Sequence, residues 1–133
     1  MDRDRFEELV DEAVDRLPPE FAARLDNVDV VVAARPSRRT LREMGLLGRG
    51  TLLGLYRGVP QTRRTTQYSG VAPDQIVIYR DPVLAEADAS CPPEADDEEF
   101  EQTIREVVRK TVLHEIGHHF GLSEADLRRI DFG

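Results

Sequence analysis

The spacing of apolar residues divides the chain into recognisable elements. Phe6, Leu9, Val10, Ala13, Val14 and Leu17 recur at helical intervals until Pro18-Pro19 interrupts them, which predicts an amphipathic first helix. Pro19 is suited to open a short second helix reaching Arg24 or Leu25. Val28 to Ala34 is rich in β-branched residues and reads as a strand ended by Arg35-Pro36. Ser37 can cap a brief helix running to Met44. The glycines at 45, 48 and 50 then make a turning connection. Thr51 to Tyr56 and Gln75 to Arg80 read as the second and third strands, with a polar loop from Gln61 to Pro73 between them. Asp81 to Pro93 is expected to be a flexible loop. After it, Ile104, Val107, Val108, Thr111 and Val112 form one stripe on a long helix beginning near Phe100. The acidic run Glu94 to Glu101 complements the positive end of that helix dipole.

The long helix runs into His114-Glu-Ile-Gly-His-His-Phe-Gly-Leu-Ser-Glu124, which holds all three histidines of the chain. Each residue of an α-helix advances by roughly 100°, so His114 and His118 return to nearly one face about a turn apart and can clasp one ion. A catalytic zinc keeps three protein ligands and an open position for water, whose pKa it lowers to about 7. Glu115, beside the first ligand, is placed to take that water's proton. Gly121 can adopt the left-handed conformation that ends a helix and turns the chain back. Glu124 then stands where the extended metzincin pattern has its last histidine, and it is the favoured third ligand. Asp126 competes, because a small slip in the helix end would bring it round instead. Both acids also suit the start of a following helix, since Ser123-Glu-Ala-Asp126 has the form of an N-cap. His119 lies five positions from His114, about 140° around the helix, which suits packing or an outer hydrogen bond better than ligation.

The run Leu113 to Leu122, together with Leu52 to Pro60 and the segments Tyr68-Ser-Gly70 and Ile76 to Arg80, resembles the small bacterial family of minimal zincin-like metallopeptidases. The resemblance extends over about residues 28 to 130. It implies a minimal zincin fold, with zinc held by His114, His118 and an acidic third ligand, and with Glu115 as base. It carries no substrate. The chain departs from metzincins proper in lacking the third histidine and any methionine after the motif, since Met1 and Met44 both precede it.

Helices, strands and a motif-bearing helix together make an α+β fold, a small mixed sheet packed on the long active-site helix, in a single domain spanning residues 1 to 133. In zincins the substrate lies extended along an edge strand, and Ile76 to Arg80 is the candidate edge, with Leu52 to Tyr56 as the other possibility. A donor is also wanted for the negative oxygen of the tetrahedral intermediate. Among Tyr56, Tyr68 and Tyr79, Tyr68 is the choice, because it sits in a polar, glycine-flanked loop while the other two lie in apolar strands.

Composition sets the outer bounds. A net charge of −8 argues against nucleic-acid binding. The arginines at 35, 38, 39 and 42, and those at 57, 63 and 64, are most simply a solvated surface, with attraction of a substrate carboxylate as the functional alternative. No apolar run approaches the roughly 20 residues needed to span a membrane, and the amino terminus lacks a signal-peptide core. Cytoplasmic residence is therefore expected. The lone Cys91 suits a reducing compartment and reads as a loop thiol, with metal blocking as the alternative. The expected activity is zinc-dependent hydrolysis of a peptide or protein substrate. The competing class is a zinc-binding or peptide-binding module of the same fold without hydrolysis.

Overall fold

The structure is a computed structural model that describes residues 1–58 and 73–132, apart from the side chains of residues 124 and 130–132. Helix α1 spans Arg3–Asp15, with Asp2 accepting from the Arg5 amide as N-cap. The short α2, Pro19–Ala22, leads through a 3-10 turn at Ala23–Leu25 into strand β1, Val28–Ala33. Ser37 caps α3, Arg38–Glu43, by accepting from the Thr40 amide. Strands β2, Gly54–Arg57, and β3, Asp74–Tyr79, follow. Helix α4 spans Arg80–Ser90, α5 spans Asp97–His119, and α6 spans Glu124–Phe132. Among the described residues, no helix is long and apolar enough to cross a membrane.

Two of these elements correct the sequence reading. Residues expected to form the flexible loop Asp81 to Pro93 are mostly helix α4, which follows β3 without a linker. Pro82 falls in its first turn, where a missing N–H removes no hydrogen bond, and Ala85, Ala87 and Ala89 favour helix. Val83 and Ala87 give α4 a buried side. The second strand also starts at Gly54, three residues later than expected.

The sheet is mixed, in the order β1-β3-β2. β1 runs parallel to β3, with Val30 opposite Ile76 and Val32 opposite Ile78. β2 runs antiparallel to β3, with Gly54 opposite Ile78 and Tyr56 opposite Ile76. The candidate substrate edge at Ile76 to Arg80 is therefore the central strand, and the edge next to the motif helix is β2. Burial explains the arrangement. Ile76, Val77, Ile78 and Tyr79 are all buried, as expected of a strand with neighbours on both sides and cover on both faces.

One face of the sheet packs on α1, α4 and α5. Phe6, Leu9, Val10 and Ala13 of α1 meet Ile104, Val108 and Val112 of α5 in a core that includes Ile76, Ile78 and Val83. At its margin, Arg5 makes a two-pronged contact with Glu101 at 2.6 and 3.0 Å, and Arg105 donates to Glu12 at 2.6 Å. These pairs fix α1 along the first half of α5 and leave the second half to the sheet edge and α6.

Candidate metal and catalytic site

The motif occupies the last turns of α5, and the helix end is built residue by residue. Asp96 caps its start, and Asp97, Glu98 and Glu99 fill the first turn at the positive end of the dipole. At the other end Gly121 takes φ 75°. The Leu122 amide donates to the Gly117 carbonyl at 2.7 Å and the Gly121 amide to the His118 carbonyl at 3.2 Å. This pair of bonds is the Schellman closure, and it requires a left-handed residue at Gly121. The chain then reverses into α6, whose Leu127 is buried against α5. A Cβ at Gly117 would overlap the Leu127 side chain, so the glycine inside the motif is what lets α6 close on α5.

His114 and His118 stand on one face, ring centroids 6.3 Å apart. Nδ1 of His114 lies 2.8 Å from the Lys110 carbonyl, which fixes the ring and leaves Nε2 as the nitrogen for a metal. Two imidazoles sharing a tetrahedral zinc have centroids about 5 Å apart, so a side-chain adjustment of about 1 Å suffices. The two imidazoles are therefore compatible with one zinc. Among the described residues no third His, Cys, Asp or Glu completes a metal group with these two. Glu124 is the first residue of α6, with its side chain outside the described residues. Tyr68, the chosen oxyanion donor, also lies outside the described residues.

The competing acid, Asp126, is occupied elsewhere. Its carboxylate accepts from the Ser123 amide at 3.1 Å, while the Ser123 hydroxyl accepts from the Asp126 amide at 3.1 Å. This reciprocal box starts α6. The Ser123 amide and hydroxyl, with Arg129 behind them, hold the Asp126 carboxyl below the usual aspartate range.

Glu115 is half-buried between α5 and the sheet edge, and its Oε1 accepts from the Tyr56 backbone amide at 2.8 Å. Tyr56 itself is held twice more. Its ring stacks on His119, centroids 3.9 Å apart and planes 14° apart, and its hydroxyl donates to Asp74 at 2.7 Å. Sequence reasoning set Tyr56 aside as a packed strand residue, because the contact that matters is made by its main chain. His119 packs, as its angular position required. β2 can approach α5 this closely because residue 54 is glycine: a Cβ there would lie 2.7 Å from Thr111 Cγ2 and 3.0 Å from the Val77 carbonyl. A glycine inside an apolar strand was the available signal of such an approach.

Beside Glu115 and His114 opens a cleft of about 380 Å³, lined by Thr51 to Gly54, Val107, Lys110 and Thr111, with Glu86 at one wall. The described arginines of the two basic clusters are not among the residues that line it. Arg39 pairs with Glu43 and Arg35 with Asp81 at the surface, and Arg57 donates to the buried Thr40. Arg63 and Arg64 lie outside the described residues. Cys91 donates to Thr103, eleven residues before His114 and so about 16 Å away along the helix axis, which removes it as a metal-blocking thiol.

Comparison with known proteins bears on the family of the chain. No curated protein matches the chain. The family model described as zincin-like metallopeptidase matches residues 25–133, a span that includes β1 to β3, both histidines, Glu115 and the turn into α6. The chain belongs to the zincin-like metallopeptidase family.

Proposed function

We propose that the protein is a zinc-dependent peptidase whose centre is held by His114, His118 and Glu124, with Glu115 as general base. The observation that carries this reading is the placement of Glu115: one turn-face carries two imidazoles, and the intervening carboxylate is held between α5 and the edge strand beside an open cleft. A structural zinc site would gain nothing from a base at that position. Two facts support Glu124 over Asp126 as the third ligand. Gly121 reverses the chain directly before it, and Asp126 is committed to the cap of α6.

Bound zinc would acidify a water and polarise the scissile carbonyl. The protein's own groups do the rest. His114 is oriented by the Lys110 carbonyl, so the ring cannot turn its other nitrogen toward the ion. Glu115 takes the proton from the attacking water and delivers it to the leaving amine. With Oε1 anchored on the Tyr56 amide, its second oxygen is the one that handles the proton. Tyr68 is the proposed donor to the oxyanion.

The substrate is an extended peptide added to β2, the sheet edge beside the motif. Since Glu115 takes the Tyr56 amide, pairing runs along residues 51 to 54, and a substrate side chain enters the cleft there. The protein is expected to act in the cytoplasm on peptide or protein substrates, without nucleic-acid or membrane partners.

The test combines metal analysis with a proteome-wide cleavage screen of the native protein and Glu115→Gln. Stoichiometric zinc in both, with cleavage only by the native protein, is the expected result. Equal cleavage patterns would replace this reading with the zinc- or peptide-binding module. In the same screen, Tyr68→Phe is expected to slow turnover with zinc retained.

A further inference from the structure

The motif helix carries two adjacent rows of side chains, each at four-residue spacing. His114 and His118 make the first. Thr111, Glu115 and His119 make the second, and each of its members touches β2. Thr111 meets the backbone at Gly54, Glu115 accepts the Tyr56 amide, and His119 stacks on the Tyr56 ring. Gly54 and Tyr56, two apart in the strand, share one face of the sheet. β2 is thus docked along a single ridge of α5, and Glu115 is the middle contact.

The docking matters because of what holds the base. A glutamate has three rotatable bonds, and Glu115 is only half-buried. The Tyr56 backbone N–H anchors it at 2.8 Å, so the carboxylate is as well placed as Tyr56 is. β2 has only four residues and, among the described residues, pairs with β3 alone. Its position along α5 is therefore set by the contacts at its two ends, where Gly54 permits close approach and Tyr56 is clamped between His119 and Asp74. His119 gains its own support from Phe120, edge-on at 5.1 Å, whose ring lies under Arg24 at 4.6 Å.

We propose that Tyr56 and His119 form a positioning pair for the general base: the stacked rings fix β2 on α5 so that the Tyr56 amide holds the Glu115 carboxylate. The second histidine of the His-His doublet thereby acquires a role separate from metal binding. The inference rests on Glu115 being the base, and it concerns residues that themselves touch neither metal nor substrate.

The experiment uses His119→Ala and His119→Phe in the zinc-loaded full chain, since residue 119 is exposed and neither change opens the core. Two measurements are made. The first is the Tyr56 amide proton shift in ¹H–¹⁵N spectra, with Glu115→Gln marking the position of the amide without its carboxylate. The second is kcat and KM on a peptide cleaved by the native protein. In His119→Ala the Tyr56 resonance is expected to move toward its Glu115→Gln position, and kcat to fall by about 10- to 100-fold, with KM and zinc content near native. His119→Phe, which keeps a ring to stack but cannot ligate, is expected to restore both. A Tyr56 resonance unmoved in His119→Ala would overturn the inference, as would loss of zinc, a change confined to KM, or failure of Phe to rescue. Native turnover by Glu115→Gln would instead remove the base assignment, and the amide shift would still report whether the rings hold the strand.

Discussion

The two halves of α5 are held in different ways. From Asp97 to Leu113 the helix is fastened by redundancy: Ile104, Val108 and Val112 are fully buried against α1 and the sheet, and Arg5–Glu101 and Arg105–Glu12 close the margin. From His114 to Gly121 Ile116 continues the core, but among the described residues the face that bears the site is fastened by single contacts. One glycine admits Leu127, another admits β2, one amide holds Glu115, and His118 and His119 remain exposed. Apolar packing distributes stability over many weak contacts, so loss of one is partly absorbed by the rest. A site must leave nitrogen and oxygen atoms accessible and so cannot be buried in that way. Its geometry depends on a few close approaches.

Substitutions in the two halves should therefore separate stability from activity. The largest effect expected is on chemistry: Glu115→Gln should lower peptide turnover by about 10²- to 10⁴-fold, the range for a general base, while its urea midpoint stays native. A marked drop in that midpoint would show that Glu115 also carries structural weight and would blur the contrast. Next is Ile104→Ala in the other half, which should cost about 2–5 kcal/mol in urea unfolding because a fully buried side chain leaves a cavity. Below its unfolding transition this variant should keep native kcat. Gly54→Ala lies between the two. Overpacking against Thr111 and the Val77 carbonyl should cost about 1–3 kcal/mol, and it should also lower turnover because β2 is displaced from Glu115. Loss of stability without loss of kcat would show that the strand position is not what orients the base.

The smallest effects belong to the exposed capping and margin groups. Ser123→Ala should cost about 0.5–2 kcal/mol by removing the α6 cap. Acid should act on the same region. The folded-state pKa of Asp126 is lowered by Ser123, and that of Glu101 by hydrogen bonds from Arg5. A lowered carboxyl favours the folded state when ionised, so its contribution is complete above the unfolded pKa of about 4 and disappears as pH falls through the lower folded value. Thermal melts taken from pH 6 down to pH 3 should show stability falling below about pH 4. Ser123→Ala keeps the backbone amide that bonds Asp126 and removes only the hydroxyl, so it should flatten the part due to Asp126 in part and leave the part due to Glu101. An unchanged acid slope in that variant would show that the Ser123 hydroxyl adds nothing to the hold on Asp126.

Periodicity was sufficient for α1 and α5, because a helix that buries one stripe must repeat apolar residues at its own pitch, and Phe6 to Leu17 and Ile104 to Val112 do so. The caps at Ser37 and Ser123 and the stop at Gly121 were equally legible, since each is a local hydrogen-bonding or φ requirement met within a few residues. Helix α4 was not. Its Asp81-Pro82 start looks like a loop, and only the shelter of α5 and β3 turns Val83 and Ala87 into a core face. Strand order was also hidden: Ile76 to Tyr79 and Gly54 to Arg57 both read as strands, and which one forms the edge depends on what lies beside each in space.

The sequence by itself determined the chemistry on offer: two imidazoles a helical turn apart, a carboxylate between them, a glycine turn and two returning acids. Those follow from residue identity and the pitch of one helix. Only the tertiary structure decided that β2 forms the edge and that Glu115 rests on the amide of Tyr56 with His119 stacked on its ring. The amide of Tyr56 is common to nearly every residue type and leaves no mark in the sequence. It matters only because a glycine at 54 lets one strand approach one face of α5.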